Sequence, residues 1–179
     1  MPRREIRITG YGGQGVIMTG YVFGRAAALY DGRHSTLTQS FGPEARGSAC
    51  AASLVLDEEV ITYPYLRRTD VLIALSREGY ETYAKELKAT GILIYDEDLV
   101  EPDTEGGTIR ALGIPAARLA EELGKRIVQN IVVVGFATAA TEIVSKEAAL
   151  EAVETSVPEA LVDLNRKAFE TGYEYFERH

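Results

Sequence analysis

Four glycines fall within the six residues Gly10-Tyr11-Gly12-Gly13-Gln14-Gly15, and the chain changes character across them. Before them, Ile6-Arg7-Ile8-Thr9 alternates like a short strand; after them, Val16 to Tyr30 has helical length and is apolar on most faces. A loop with so few Cβ atoms can adopt positive φ and bring its backbone N–H groups against a ligand. The buried helix that follows turns its unpaired N–H groups and the positive end of its dipole back toward that loop. The first sixteen residues therefore predict a strand, a turn and a helix arranged around a place for a phosphate or carboxylate.

Strands and helices continue to alternate downstream. Ser35 to Phe41 is β-prone and predicts a second strand. Gly42-Pro43-Glu44-Ala45-Arg46-Gly47 breaks it with turn formers, and Ala49 to Leu56 reads as a third strand that closes a hairpin. Val71-Leu72-Ile73-Ala74-Leu75 is the continuous apolar run of a strand covered on both faces. Ser76 predicts an N-cap, with Tyr80, Tyr83, Ala84 and Leu87 on one face of the next helix, Gly91 capping it and Ile92 to Tyr95 returning as a strand. That order is a βαβ unit, parallel and right-handed by rule.

The acidic, turn-rich stretch from Asp96 to Gly107 leads to a weaker strand over Thr108 to Leu112. Pro115 opens a short helix that Gly124 closes. Asn130 to Ile143 reads as one buried helix despite the β-branched run Ile131-Val132-Val133-Val134. Ser145 caps a further short helix, and Pro158 begins a last one to about Phe176. The expected fold is a single α/β domain over residues 1–179: a three-layer sandwich with a mostly parallel central sheet, a Rossmann-like opening βα unit and a helical C-terminal part.

Charge and cysteine usage narrow the function. A formal charge of −8, with no basic run longer than Arg3-Arg4 or Arg67-Arg68, argues against nucleic acid and anionic membranes as partners. No apolar run approaches the roughly 20 residues that span a bilayer, and the N-terminus lacks the apolar core of a secretory signal, so a cytoplasmic location is expected. Cys50 stands alone, which leaves no disulfide framework, no Cys₄ iron–sulfur site and no thiolate zinc cage. His34 and His179 show no ligand spacing. Any redox centre is expected on another chain.

Gly10, Gly12 and Gly15 match the dinucleotide pattern G-x-G-x-x-G in the right strand–helix setting. That pattern also wants an acidic residue at the end of the second strand. Asp31 has about the right distance but precedes that strand, which ends near Gln39-Ser40 without a carboxylate. Val16-Ile17 after Gly15 excludes a Walker A loop, which needs Lys and then Ser or Thr. The plain alternative is a tight turn whose glycines serve packing, although Gly13 and the polar Gln14 favour a ligand or a subunit contact.

A second constellation is Ser40-Phe41-Gly42-Pro43-Glu44-Ala45-Arg46-Gly47-Ser48. Glu44 and Arg46 cannot both be buried there without partners. Arg46 could hold a phosphate or carboxylate in bidentate fashion, and Glu44 could accept from a neighbouring chain. On spacing alone, a solvated turn with a local ion pair worth ~0–1 kcal/mol explains them slightly better.

Taken together, Gly10 to Gly15, Ser40 to Gly47 and Ile61-Thr62-Tyr63-Pro64 resemble the gamma subunit of 2-oxoacid:ferredoxin oxidoreductases, equivalent to one domain of the single-chain pyruvate enzyme. The resemblance covers nearly the whole chain, including Asn130 to Ala140, and is most specific over Ser40 to Gly47. It is closest to the small subunit of the 2-oxoglutarate enzymes, with the indolepyruvate branch related. It implies a partner without catalytic residues of its own, in a machine that decarboxylates a 2-oxoacid on thiamine diphosphate. Electrons pass through iron–sulfur clusters to ferredoxin, and an acyl-CoA is released.

The chain has no Gly-Asp-Gly followed by an Asn pair and only one cysteine, so thiamine diphosphate, Mg and Fe4S4 clusters are implied on companion subunits. The implied partners are alpha, beta and, where present, delta subunits, with ferredoxin reached indirectly; an isolated chain could form a homo-oligomer. Assembly and help in binding coenzyme A remain for this chain. The expected contact site is Gly10, Gly12, Gly13, Gln14 and Gly15 with Glu44 and Arg46, and no metal ligand. Two rivals stand beside this reading: a free-standing dinucleotide-binding oxidoreductase, and a structural adaptor with an empty loop.

Among other residues, Cys50 reads as a small buried side chain and His34 as an ordinary hydrogen-bonding one. Tyr63-Pro64-Tyr65 suits either a surface anchor or a loop packed onto the domain. Leu161, Leu164, Phe169, Tyr173 and Phe176 are too many for one narrow stripe, so some are expected to face another subunit. Asp96-Glu97-Asp98 reads as a solvated loop.

Overall fold

The computed structural model describes residues 2–41, 49–103 and 109–179. Its strands are β1 (Arg4–Tyr11), β2 (His34–Phe41), β3 (Ala49–Asp57), β4 (Thr69–Ala74), β5 (Leu87–Asp96) and β6 (Arg110–Ile114), in the sheet order β2-β3-β1-β4-β5-β6. β1, β4, β5 and β6 pair in parallel, while β3 runs against both of its neighbours, β2 and β1. Five of the six strands thus point one way. The helices are α1 (Val16–Arg25), prolonged by a π-helical turn over Ala26–Tyr30, α2 (Arg77–Tyr83), α3 (Ala116–Glu122), α4 (Gln129–Thr141), α5 (Lys146–Glu154) and α6 (Val162–Arg178). Among the described residues no helix is long and apolar enough to cross a membrane.

Strand periodicity divides the apolar residues between two cores. Ile6, Ile8, Leu54, Leu56, Val71, Ile73, Ile94 and Ile114 join one large cluster with α1, α4, α5 and α6. Leu72, Ala74, Leu87 and Leu93 face the other way and pack with Tyr80 and Tyr83. β4 feeds both cores, which is why its sequence is apolar without alternation. On the α2 side Arg7 lies 4.3 Å from the Tyr83 ring centroid and reaches Glu86 and Ser53. The result is the expected α/β sandwich with helices on both sheet faces.

The C-terminal helices meet backbone to backbone. A Cβ on Gly135 of α4 would run into the Phe169 carbonyl, and one on Gly172 of α6 into the Val132 carbonyl. That close approach buries α4 on nearly every side, from Asn130 to Thr138. Ser76 and Ser145 cap their helices as expected, accepting from Gly79 N and Ala148 N at 3.1 Å each.

Several expectations need correcting. The helix after Ser76 ends at Tyr83, because Leu87 pairs with Thr69 and begins β5, so Gly91 lies inside a strand and caps nothing. β6 spans Arg110–Ile114, about two residues later than the strand foreseen over Thr108 to Leu112. Asp96 is not solvated: it is 2% exposed at the end of β5, and its carboxylate accepts from Asp98 N. Burial, together with the neighbouring Asp98 and Glu97, raises its pKa above the ordinary range, while the Asp98 N–H and Arg118 oppose the rise. Phe169 is fully buried within the chain, whereas Tyr173 and Phe176 pack against the same core and stay half-buried, so only Phe169 is wholly withdrawn from the set expected to face another subunit. Leu161 alone of that set is exposed.

Candidate functional site

The chain leaves β1 through α1 toward the β2 edge and leaves β4 through α2 toward β5. The crevice outside the carboxyl ends of β1 and β4 is therefore the topological switch point, where open α/β sheets bind ligands. The glycine loop stands on one side of it and Leu75-Ser76 on the other, joined by Leu75 N donating to Thr9 O at 2.8 Å.

Each loop residue does a different job. A Cβ on Gly10 would lie 2.5 Å from Gln14 Oε1 and 3.1 Å from the Leu75 side chain, so this glycine lets the loop close on itself. Gly13 and Gly15 have φ of 94° and 74°, the left-handed region that glycine occupies without penalty. Gly15 is also the N-cap of α1, and the first helical bond runs from Thr19 N to its carbonyl. The preceding N–H groups have no partner inside the helix and point out of its end. Gly12 and Gly13 face open space: a Cβ added to either would meet no atom within 4 Å.

Gln14 is turned inward. Its Oε1 accepts from Tyr11 N at 2.6 Å and its Nε2 donates to Leu75 O at 2.8 Å, so it straps the loop across the switch point. Each end of its amide thus has one partner within the chain.

Asn130 is the residue that sequence reasoning misses. It is the second residue of α4 and 7% exposed, and its side chain fills the notch left by the absent Gly15 Cβ. Its Cγ and Nδ2 lie 2.7 and 2.9 Å from where that Cβ would be. No hydrogen bond joins its amide to another described residue, and its polar atoms are not sealed from solvent, so an amide with free hydrogen-bonding capacity stands at the N-terminus of α1. The one available signal was an amide at the head of an otherwise apolar helix, Ile131 to Ala137.

The strands on either side of the second constellation, β2 and β3, have their near ends here. Tyr11 pairs with Ala49, and Gly10 and Phe41 both pair with Cys50, so the hairpin's described ends open beside the glycine loop. Glu44 and Arg46 themselves lie outside the described residues. Cys50 is buried, and burial pushes its thiol up, consistent with an inert side chain beneath the loop.

Asp31 is no ribose anchor. Its carboxylate accepts from Ser145 N at 2.8 Å and from Ser145 Oγ at 2.7 Å, tying the end of the π-helical turn to the start of α5. β2, which follows it, is separated from β1 by β3. His34 lies exposed at the start of β2, away from the glycine loop, and Tyr63 and Tyr65 are exposed and stack edge to face at 5.6 Å. The Tyr63 and Tyr65 carbonyls accept from Arg3, and Glu5 holds Arg67 N and Arg68 N, so that segment is pinned to β1.

Residues 5–175 match the family described as pyruvate ferredoxin/flavodoxin oxidoreductase. The chain is 47% identical to the 2-oxoglutarate synthase subunit KorC of Methanothermobacter marburgensis, over 96% of both chains. In structure it resembles the gamma subunit of the keto/oxoacid ferredoxin oxidoreductase of Geobacter sulfurreducens, with 39% identity, a TM-score of 0.85, and coverage of 98% of this chain and 99% of that one. The same fold recurs, at 24% identity and a TM-score of 0.89, across 32% of a chain of the Magnetococcus marinus 2-oxoglutarate:ferredoxin oxidoreductase, whose structure holds 2-oxoglutarate, coenzyme A and succinyl-CoA.

Proposed function

This chain belongs to the pyruvate ferredoxin/flavodoxin oxidoreductase family, and from that membership we infer that it is the gamma subunit of a 2-oxoglutarate:ferredoxin oxidoreductase. The complex carries out CoA-dependent oxidative decarboxylation of the 2-oxoacid to an acyl-CoA with reduction of ferredoxin, or the reverse carboxylation. The observation that carries the reading is the identity to 2-oxoglutarate synthase subunits along almost the full length of both chains. Thiamine diphosphate, Mg and iron–sulfur clusters are assigned to the alpha, beta and delta companions, where present.

Within the complex, the switch-point crevice is this chain's contact with coenzyme A. When bound, coenzyme A supplies the thiol that takes up the acyl group. Its phosphates and pantetheine amides suit what the crevice offers: bare N–H groups at Gly12, Gly13 and the start of α1, and the unpartnered amide of Asn130. Gly10, Gln14 and Gly15 hold that surface in shape; Glu44 and Arg46, which lie outside the described residues, are proposed as further contacts on their sequence pattern alone. The dinucleotide-binding alternative has lost its acidic anchor, because Asp31 is engaged by Ser145.

The test uses the reconstituted complex. Gly12→Leu fills open space at a backbone angle outside the left-handed region, so it disturbs the ligand and not the fold. Gly12→Leu and Asn130→Ala should each raise the KM for coenzyme A by about tenfold, on the order of 1.4 kcal/mol of binding, with the KM for 2-oxoglutarate unchanged. An unchanged coenzyme A KM in both variants would reject the contact while leaving the subunit assignment standing.

A further inference from the structure

We propose that the turn between α3 and α4, Gly124 to Val128, takes the 3′-phosphoadenosine end of coenzyme A, with Lys125 on the 3′-phosphate. The inference rests on the coenzyme A reading of the switch-point crevice and names which end of the ligand lies where. α1 and α4 run side by side in one direction. Asn130 meets Gly15 where both begin, and Asp31 and Arg33 bind Ser145 and the Ile143 carbonyl where both have ended. The residues just before Asn130 therefore stand above the rim of the crevice. Arg126–Val128 form a 3₁₀ turn that leads straight into α4, so Lys125 lies roughly 8 Å beyond Asn130 along the helix axis.

The backbone of this turn is braced, while its side chains are left outside. Gly124, at φ of 89°, closes α3; its N–H donates to Glu121 O at 2.9 Å, Lys125 N to Ala120 O at 3.2 Å and Val128 N to Lys125 O at 3.2 Å. Val128 is buried beneath the turn, whereas Ile127 is 79% exposed, the most exposed of the large apolar side chains among the described residues. Lys125 and Arg126 are exposed as well; Arg126 lies 3.5 Å from Glu121, and no described carboxylate pairs with Lys125. Across the crevice, at the start of α2, Arg77 is taken by Glu81 at 2.9 Å. An uncovered apolar side chain beside a free ammonium matches an adenine whose ribose carries a phosphate. The bare N–H groups of the glycine loop and the Asn130 amide suit the diphosphate one ribose away, and the flexible stem of the lysine spans the remainder.

Dephospho-coenzyme A lacks only the 3′-phosphate, so it isolates this contact from the rest. In the reconstituted complex, Lys125→Ala should raise the KM for coenzyme A about fivefold, keep that for dephospho-coenzyme A within about twofold, and leave the KM for 2-oxoglutarate unchanged. Lys125→Arg should retain most of the preference for the phosphorylated form. Ile127→Ser, which alters the adenine platform common to both ligands, should raise both coenzyme KM values alike. A Lys125→Ala complex in which both coenzyme values move equally or neither moves, an Ile127→Ser complex with neither value raised, or a variant chain that no longer joins the complex would overturn the proposal. Gly12→Leu separates this from the wider reading. If it still raises the KM for coenzyme A, only the placement of the adenosine end falls; if Gly12→Leu and Asn130→Ala are also without effect, the coenzyme A contact falls with it.

Discussion

The glycine loop and the α4–α6 crossing use the same residue for opposite purposes. At the crossing, Gly135 and Gly172 exist so that nothing separates two backbones, and a Cβ on either would strike a carbonyl. In the loop, Gly12 and Gly13 exist so that nothing covers one backbone, and a Cβ on either would meet no atom within 4 Å. Glycine at the crossing is a matter of packing, whereas at the loop apex it leaves backbone uncovered. Counting glycines cannot separate the two; only the neighbours can.

The largest expected effect lies at the crossing. Gly135→Ala should cost about 3 kcal/mol, because the obstacle is backbone and cannot turn aside as a side chain would. By the size scaling of thermal unfolding, the melting temperature should fall by roughly 6–12 °C. Gly172→Ala should behave alike, and since both strike one contact, the double variant should cost less than the two single losses together. Additive losses, measured by denaturant titration, would show that the two glycines are not partners.

Gly15 stands between the two uses. Its φ of 74° disfavours any side chain, and a Cβ would lie 2.6 Å from Asn130 Cβ. Gly15→Ala should therefore destabilise by about 2 kcal/mol and also displace the Asn130 amide. Its signature is a joint change, a lower melting temperature with a higher KM for coenzyme A, where Gly135→Ala changes only the first.

The local features of this fold were legible in the sequence, and the non-local ones were not. Ser76 and Ser145 announced helix starts because a cap is made within three residues of itself. β1 and β4 were readable because side-chain period alone reports which faces are covered. Gly91 misled because whether Leu87 ends a helix or starts a strand is decided by Thr69 across the sheet. The last helix misled because its aromatics are shared among several neighbours: Phe136 against Phe176, and Lys146 over the Tyr173 ring at 3.8 Å. The glycine loop was legible as a side-chain-poor turn between a strand and a helix, but its internal bracing was not: Gln14 bonds Leu75 across the sheet, and Asn130, far along the chain, could be placed beside Gly15 only by the folded packing of α4 on α1.

Gly12→Ala should be nearly silent in the isolated chain, within about 0.5 kcal/mol, since it meets no neighbour and needs no positive φ. In the assembled complex it should still weaken coenzyme A, though less than Gly12→Leu. A marked loss of stability in the chain alone would place Gly12 with the packing glycines and dissolve the contrast between loop and crossing.

The smallest effect tests the converse case, a left-handed position that lacks glycine. Glu142 ends α4 with φ of 50°, and its N–H donates to Thr138 O at 3.0 Å. An L side chain in that conformation costs on the order of 1–2 kcal/mol, and glycine would remove the strain. Against this, glycine adds roughly 0.4–1 kcal/mol of unfolded-chain entropy, so Glu142→Gly should stabilise by no more than about 1 kcal/mol. That gain corresponds to a rise of roughly 2–4 °C in melting temperature. A rise of that size means that backbone geometry alone sets the energy of this corner. If Glu142→Gly instead lowers the melting temperature, the carboxylate contributes more than its backbone strain costs, and the cavity it lines with Arg33 and Lys146 is where its partners should be sought.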